Sequence, residues 1–217
     1  MYVFNSDDAA AWLRKPGVPS LINQAAGEDT DVSLQLNNVV VPFAPTTIDV
    51  KNTETWQGIE NSSGLNSGTI RSVKFLKSAE FHHEGQREAH LIIGFDSRSQ
   101  ANKVIQHGII IEGKELQANK ELPDASRCIN CSDLPRNHDT KNCPNTTKCG
   151  RCAGGHATKE CTVTDRKKFH CVNCKTSGHG AVDRNSCPSF IRATDTIRSR
   201  YPEAKYKYFV TEDPMTW

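Results

Sequence analysis

The chain has 217 residues, with 27 Lys and Arg against 25 Asp and Glu for a formal net charge of +2, and 36% of its residues are hydrophobic. With a mean hydropathy of −0.59, that composition allows a modest core in one or two domains and argues against a large enzyme built on a single core. No apolar run approaches the roughly 20 residues needed to span a bilayer, and the opening MYVFNSDDAAAWLRK is acidic where a secretory signal is basic. The expectation is an intracellular protein of nucleus or cytoplasm, not secreted and with no membrane partner.

In chain order, Ser6 to Lys15 reads as a short helix: an N-cap, Asp7 and Asp8 in the first turn, then Ala9 to Leu13 and a stop at Pro16-Gly17. Residues 1–30 are thus an N-terminal helix and linker. Val32 to Val41 is predicted as a strand ended by Pro42 and Pro45. Thr53 to Asn61 is predicted helical, with Trp56, Ile59 and Glu60 on one side, and Ile70 to Leu76 and Ala89 to Phe95 as strands. The intervening Ser78 to Glu88 is a polar loop with His82-His83 as a solvated pair. Ser97 to His107 is a helix with Ala101, Val104 and Ile105 inward, Gly108 is its C-cap, and Ile109 to Ile111 starts a last strand, after which Lys114 to Pro123 leads out.

The order β-α-β-β-α-β over residues 31–123 resembles an RRM-like, ferredoxin-type α+β domain. A sheet of that kind reads RNA by stacking bases on aromatics of its central strands. Here Gln35 and Ile92 take the places of Phe or Tyr and His90 is the one ring left nearby, which favours a structural or protein-contact role for the domain.

All nine cysteines fall between Cys128 and Cys187 and divide without remainder into three sets. They are Cys128, Cys131, His138 and Cys143; Cys149, Cys152, His156 and Cys161; and Cys171, Cys174, His179 and Cys187. Each is a Cys-x-x-Cys pair followed by a His and a third Cys, the donor set that a tetrahedral Zn²⁺ takes. A disulfide framework would leave one of an odd number unpaired and would not explain a His at the same place in every set. The expectation is three Zn²⁺ ions in small knuckles (128–143, 149–161, 171–187) with little regular secondary structure. They lie within residues 124–190, ahead of a basic, aromatic tail at 191–217. Gly150, Gly154, Gly155 and Gly178 are placed for tight turns or close backbone approach. Four protein donors per ion leave no open position for water, and no Gly-rich phosphate loop, Ser-His-Asp order or paired carboxylates stand out, so neither an enzyme nor a small-molecule substrate is expected.

Charge is uneven: residues 1–123 carry −4 and residues 124–217 carry +6. Each loaded site subtracts about one charge, leaving a mild positive field that predicts salt-sensitive affinity for single-stranded RNA or DNA. The short Asp124-Ala125-Ser126-Arg127 linker is expected to let sheet and knuckles meet one nucleic acid.

The segment His90 to Pro188, with IIIEGKELQANKELPDASRCINC, CGRCAGGHATKEC and CVNC...GHGAVDRNSCPSF, together with the tail YKYFVTEDPMTW, is similar to Gag-like proteins encoded by the first reading frame of non-LTR (LINE-type) retrotransposons, particularly fungal ones. The resemblance implies an RRM-like domain and a triple CCHC knuckle array that coats element RNA in a ribonucleoprotein. The first set departs from the pattern, with Asn137 where a Gly usually precedes the ligand His. In related knuckles the residue after the first Cys packs on an unstacked base and Lys or Arg meets phosphates. The corresponding positions are Ile129, Gly150 and Val172, with Arg127, Lys148, Arg151, Lys159, Lys167, Lys168 and Lys175 as cations, and Phe169 and Tyr206 to Phe209 as further rings. Two other readings stay open: a cellular zinc-knuckle RNA-processing factor, and a zinc-stabilised protein-interaction module. Self-association is a further expected contact.

Overall fold

A computed structural model describes Trp12, Lys15, 17–26 and 35–217, and the chain divides into two compact units, Met1–Lys120 and Glu121–Trp217. Apart from Trp12 and Lys15, the helix expected over Ser6–Lys15 lies outside the described residues. Among the described residues, no helix is long and apolar enough to cross a membrane.

The first unit contains α1 (Val18–Ala26), β1 (Asn37–Pro45), α2 (Thr53–Ser62), β2 (Ile70–Phe75), β3 (Glu88–Phe95), α3 (Arg98–His107), β4 (Ile109–Ile111), β5 (Lys114–Leu116) and β6 (Asn119–Lys120). Its four-stranded antiparallel sheet has the order β2-β3-β1-β6. Period-two alternation sends Val39 and Val41, and Leu91, Ile93 and Phe95, to one face, and an irregularity between Ile70 and Ser72 brings Ile70 and Val73 to the same face, none more than 6% exposed. The helices α2 and α3 cover that face with Ile59, Ala101, Val104 and Ile105. Each Val, Leu, Ile or Phe among these contributes about 1.5–3 kcal/mol when fully buried.

Local chemistry fixes the joints. The Asn52 side chain accepts from the Glu54 N–H at 2.9 Å and caps α2. The carboxylate of Glu60, 1% exposed, accepts the N–H groups of Gly68 and Ile70, each at 2.8 Å, and so aims the chain into β2. Gly108 ends α3 at φ +83, where a Cβ would come within 2.9 Å of the Leu116 carbonyl.

Five expectations change. Residues 18–26, expected as linker after a stop at Pro16-Gly17, form the helix α1. β1 does not stop at Pro42 but runs to Pro45, with a bulge between Val41 and Ala44. On that side β1 is paired by β6 only at Val39 and Val40, so the prolines fall on an unpaired edge where the missing donor costs nothing. Gln35, placed on the first strand from sequence, precedes it, and Val32 to Leu34 lie outside the described residues. Ile109–Ile111 does not complete the sheet: it pairs with β5 in a hairpin whose turn residues Glu112 (φ 49) and Gly113 (φ 75) are both left-handed, as a type I′ turn requires. The fourth place in the sheet goes to β6. His82 is not a solvated partner of His83, because its ring meets Phe75 edge-on at 5.0 Å and its Nε2 lies 2.9 Å from the Lys77 carbonyl.

The second unit has one α-helix, α4 (Pro188–Arg198), with short 3-10 turns. Its apolar cluster is Ala125, Cys171, Ala181, Cys187 and Phe190, joined by Leu134, Val172, Ala193 and Ile197.

Candidate metal centres

The three Cys-x-x-Cys segments fold into the same turn. In each, the carbonyl of the first Cys accepts the N–H four residues on: Ser132 to Cys128 (3.0 Å), Ala153 to Cys149 (3.0 Å) and Lys175 to Cys171 (2.9 Å). The first Cys N–H donates to the carbonyl five residues on, that of Asp133 (3.1 Å), Gly154 (2.8 Å) or Thr176 (2.9 Å). The residue closing the turn is left-handed each time, Ser132 at φ 63, Ala153 at φ 62 and Lys175 at φ 58. None of these is a glycine, although glycine adopts that backbone most easily. The expected glycines act elsewhere: Gly178 has φ +91, Gly154 lies where a Cβ would come within 2.9 Å of His156 Cε1, and Gly155 has neither a positive φ nor a neighbour to avoid.

These turns bring the predicted ligands together. In each set of four, all donor atoms lie within 4.8 Å of one another. The sulfur–sulfur distances are 3.8 Å for Cys128–Cys143, 3.7 Å for Cys152–Cys161 and 3.6 Å for Cys171–Cys187. The sulfur–Nε2 distances are 3.5 Å for Cys131–His138, 3.6 Å for Cys152–His156 and 3.1 Å for Cys174–His179. Zinc–sulfur bonds of about 2.3 Å in a tetrahedron give edges of about 3.8 Å, and mixed sulfur–nitrogen edges of about 3.5 Å. A disulfide would bring two sulfurs to about 2.05 Å, and all nine cysteines are free.

Surrounding groups prepare the donors. Burial pushes the Cys128 and Cys149 thiols up, but backbone N–H groups outweigh it and hold each at about 6: those of Cys131 and Asn130 for Cys128, and those of Cys152 and Arg151 for Cys149. Cys174 is likewise brought down to about 6 against burial, chiefly by the Thr176 hydroxyl and by Cys171 and His179. Burial prevails at Cys171, pushed up to about 11, and raises Cys143 and Cys161. Each site therefore keeps one thiol that ionises readily and others that a dication would ionise. In the first site, His138 Nδ1–H donates to Asn137 Oδ1 at 2.9 Å, which leaves the Nε2 lone pair facing Cys131. Asn137 thus has a positioning role where the related pattern has glycine.

The centres are not beads on a string. Between the first and second, Lys148 N–H donates to the Asn130 carbonyl (2.8 Å) and Ser132 Oγ to the Lys148 carbonyl (3.0 Å). Between the second and third, His170 N–H donates to the Arg151 carbonyl (2.9 Å) and Val182 N–H to the Gly150 carbonyl (3.1 Å). A Cβ on Gly180 would sit 2.4 Å from that Gly150 carbonyl, so the two knuckles touch backbone to backbone. Asn173 Nδ2 closes the ring by donating to the Ser132 carbonyl at 3.0 Å. Behind the third centre, Cys187 precedes α4 and Pro188 opens it, Phe190 packs under Cys171, and Thr194 Oγ1 accepts the Ala125 N–H at 3.2 Å. This helix was not foreseen, although Pro at its first turn and Phe190, Ala193, Thr194 and Ile197 at helical spacing signal it.

The residues expected to touch nucleic acid separate into two groups. Ile129 is 66% exposed, and Lys159, Lys167, Lys168 and Lys175 are exposed. Arg127, in contrast, is half-buried: its guanidinium donates to Ser132 Oγ at 2.9 Å and to the Cys128 carbonyl at 3.2 Å, near the Cys128, Cys131 and Cys149 sulfurs. Gly150 is buried against Val182, Val172 packs on the Cys171–Phe190 cluster, and Lys148 and Arg151 are half-buried with backbone groups tied between knuckles. Phe169 is 8% exposed and Phe209 likewise, while Lys205 and Lys207 lie over the Tyr206 and Tyr208 rings.

No protein-family model matches this chain, and no curated protein matches it. The three four-donor clusters are therefore the observations that carry most functional weight.

Proposed function

We propose that the chain holds three Zn²⁺ ions, one in each cluster of three thiolates and one imidazole, and that the zinc-clasped unit binds single-stranded RNA or DNA without catalysing a reaction. Cys128, Cys131, His138 and Cys143 hold the first ion, Cys149, Cys152, His156 and Cys161 the second, and Cys171, Cys174, His179 and Cys187 the third. The observation that carries this is the set of donor separations of 3.1–3.8 Å, which are tetrahedral edges. With four protein donors, zinc supplies folding energy and charge neutralisation, and its shell has no vacancy for a substrate water. The exposed Lys159, Lys167, Lys168 and Lys175 meet phosphates, and Ile129 offers an exposed apolar surface.

The sheet order β2-β3-β1-β6 supports an RRM-like domain in which β6 takes the fourth strand's place. Together with the resemblance in the sequence, this supports a Gag-like ribonucleoprotein component of a non-LTR retrotransposon, with self-association in the assembled particle. A zinc-stabilised protein-contact module is the second reading, favoured by the use of Gly150 and Val172 for packing between knuckles.

The test is a metal count on purified, reduced protein, with titration of a single-stranded RNA oligonucleotide at two salt concentrations before and after chelation. Three zinc ions per chain, affinity that falls with salt and loss of binding on chelation are expected. Tight zinc without salt-dependent RNA affinity would favour the protein-contact module, and absence of zinc would sink both.

A further inference from the structure

The outward face of the sheet, turned away from α2 and α3, is closed at its centre and open at one end. At the centre, a Cβ on Gly94 would come within 2.5 Å of Ser72 Oγ, 2.7 Å of Leu36 Cδ1 and 2.8 Å of Asn38 Oδ1, so protein already occupies that position. The next row, Lys74–Ile92–Val40, has no ring, and Ile92 is 4% exposed. A base has nothing to stack on there.

At the end of the sheet the character changes. His90 on β3 is exposed, the Leu76 N–H donates to its carbonyl at 2.8 Å, and the Phe43 ring of the β1 bulge meets the His90 ring edge to face, centroids 5.6 Å apart at 87°. Phe43 is 62% exposed and Leu76 is 55% exposed. The backbone of Phe43 is left-handed, φ 58, a conformation unfavourable for a bulky residue and one that persists only when its surroundings enforce it. Bulges re-aim side chains. This one turns a large ring out into solvent instead of burying it. No gain in core packing offsets the strain.

Resting on the reading of the chain as a single-strand binder, we propose that the Phe43–His90 pair stacks one unstacked base on a single ring face, the other ring, at 87° to it, bracing it edge-on. Lys74, exposed on the same face of β2, meets the neighbouring phosphate. An exposed ring braced by a second one, beside an exposed lysine, suits a planar base on a charged backbone, because every base has a π face. A partner helix would instead lay an apolar face into a hydrophobic groove, which gives the exposed lysine no role.

The test uses the full, zinc-loaded chain and a single-stranded RNA oligonucleotide, read by fluorescence anisotropy across salt. Phe43→Gly and His90→Ala are each expected to weaken binding about five- to a hundredfold, the range of single-base stacking, without changing the salt slope. Lys74→Ala is expected to reduce that slope by about one. Because glycine accepts the left-handed backbone, Phe43→Gly leaves the melting of the sheet unit unchanged or higher, which a purely structural Phe43 would not. If wild type binds RNA and Phe43→Gly binds equally well, the platform is wrong while the zinc-unit reading stands; if wild type binds no RNA, both fail. Loss of self-association in sedimentation with RNA affinity intact would overturn the platform and assign this row to protein contact.

Discussion

The two units fold on different principles. In the first, the apolar side chains at 0% exposure among the described residues are Val39, Val41, Ala44, Leu91, Ile93, Phe95, Ala101, Val104, Ile109 and Ile111, a predominantly aliphatic layer. In the second, the residues at 0% exposure are Cys128, Cys149, Cys171, Cys187 and Ser132, and its large buried apolar groups are Phe169, Phe190 and Phe209. The first unit can offset chain entropy by apolar burial. The second buries sulfur, small groups and only three large apolar side chains, so under the proposed function most of its free energy of folding comes from bound zinc.

The most direct way to break that contrast is to remove the ions. Structural zinc contributes roughly 10–16 kcal/mol in apparent binding energy at neutral pH, so exhaustive chelation under reducing conditions is expected to abolish amide protection throughout residues 121–217 while the sheet unit keeps its own melting transition. Retained protection in the second unit after chelation would show that its small apolar cluster suffices.

Within the second unit the centres differ in what they hold. Cys171 is 0% exposed beneath Phe190, and the neighbouring knuckle leans on the same region through the Val182–Gly150 hydrogen bond. Cys143 is only half-buried and lies at the first centre. Cys171→Ser is therefore expected to cost more than about 3 kcal/mol and to release more than one zinc per chain, whereas Cys143→Ser releases about one. Equal losses from the two variants, measured by mass spectrometry under native conditions, would mean that the centres act independently.

Acid sharpens the same contrast. Cys128, Cys149 and Cys174 sit at about 6 in the folded unit, against about 8.5 for an unperturbed thiol. A depressed folded-state pKa stabilises the folded unit most fully above the unfolded value, and the contribution disappears as pH falls through the folded one. Zinc retention against a fixed chelator is thus expected to decline from about pH 8.5 to about pH 6, with no matching change in the sheet unit. A flat zinc profile across that window would contradict the assignment of these thiolates.

Legibility from sequence also differed between the units. The twelve donors were readable because Cys-x-x-Cys is local chemistry: the turn that presents two sulfurs is made by residues four and five positions apart. What the knuckles do to one another was not readable. Gly150 looked like a base platform because it follows a first Cys, but Gly180 and Val182, about thirty residues on, close over it. Arg127 looked like a phosphate contact, yet its guanidinium neutralises thiolates and ties Ser132. In the sheet unit α2 and α3 followed their periodicity but α1 fell where a linker was expected, while Pro42 misled because its tolerance depends on β6 being only two residues long. The Phe43–His90 pair escaped notice for the same reason, since a bulge inside a strand has no signature in apolar alternation.

The smallest expected effect lies in the turn shared by all three centres. Ala153 closes the second turn at φ 62, a backbone that costs an L-residue roughly 1 kcal/mol relative to glycine. Ala153→Gly removes that strain but adds freedom to the unfolded chain, which offsets part of the gain. The net expectation is a rise in zinc affinity at the second centre of no more than about fivefold, near 1 kcal/mol, read by competition with a chromophoric chelator. Ala153→Val has the opposite sign, because a β-branched side chain is poorly tolerated at positive φ. If the two substitutions changed affinity in the same direction, the left-handed residue would not be what sets the turn, and the common geometry of the three centres would need another cause.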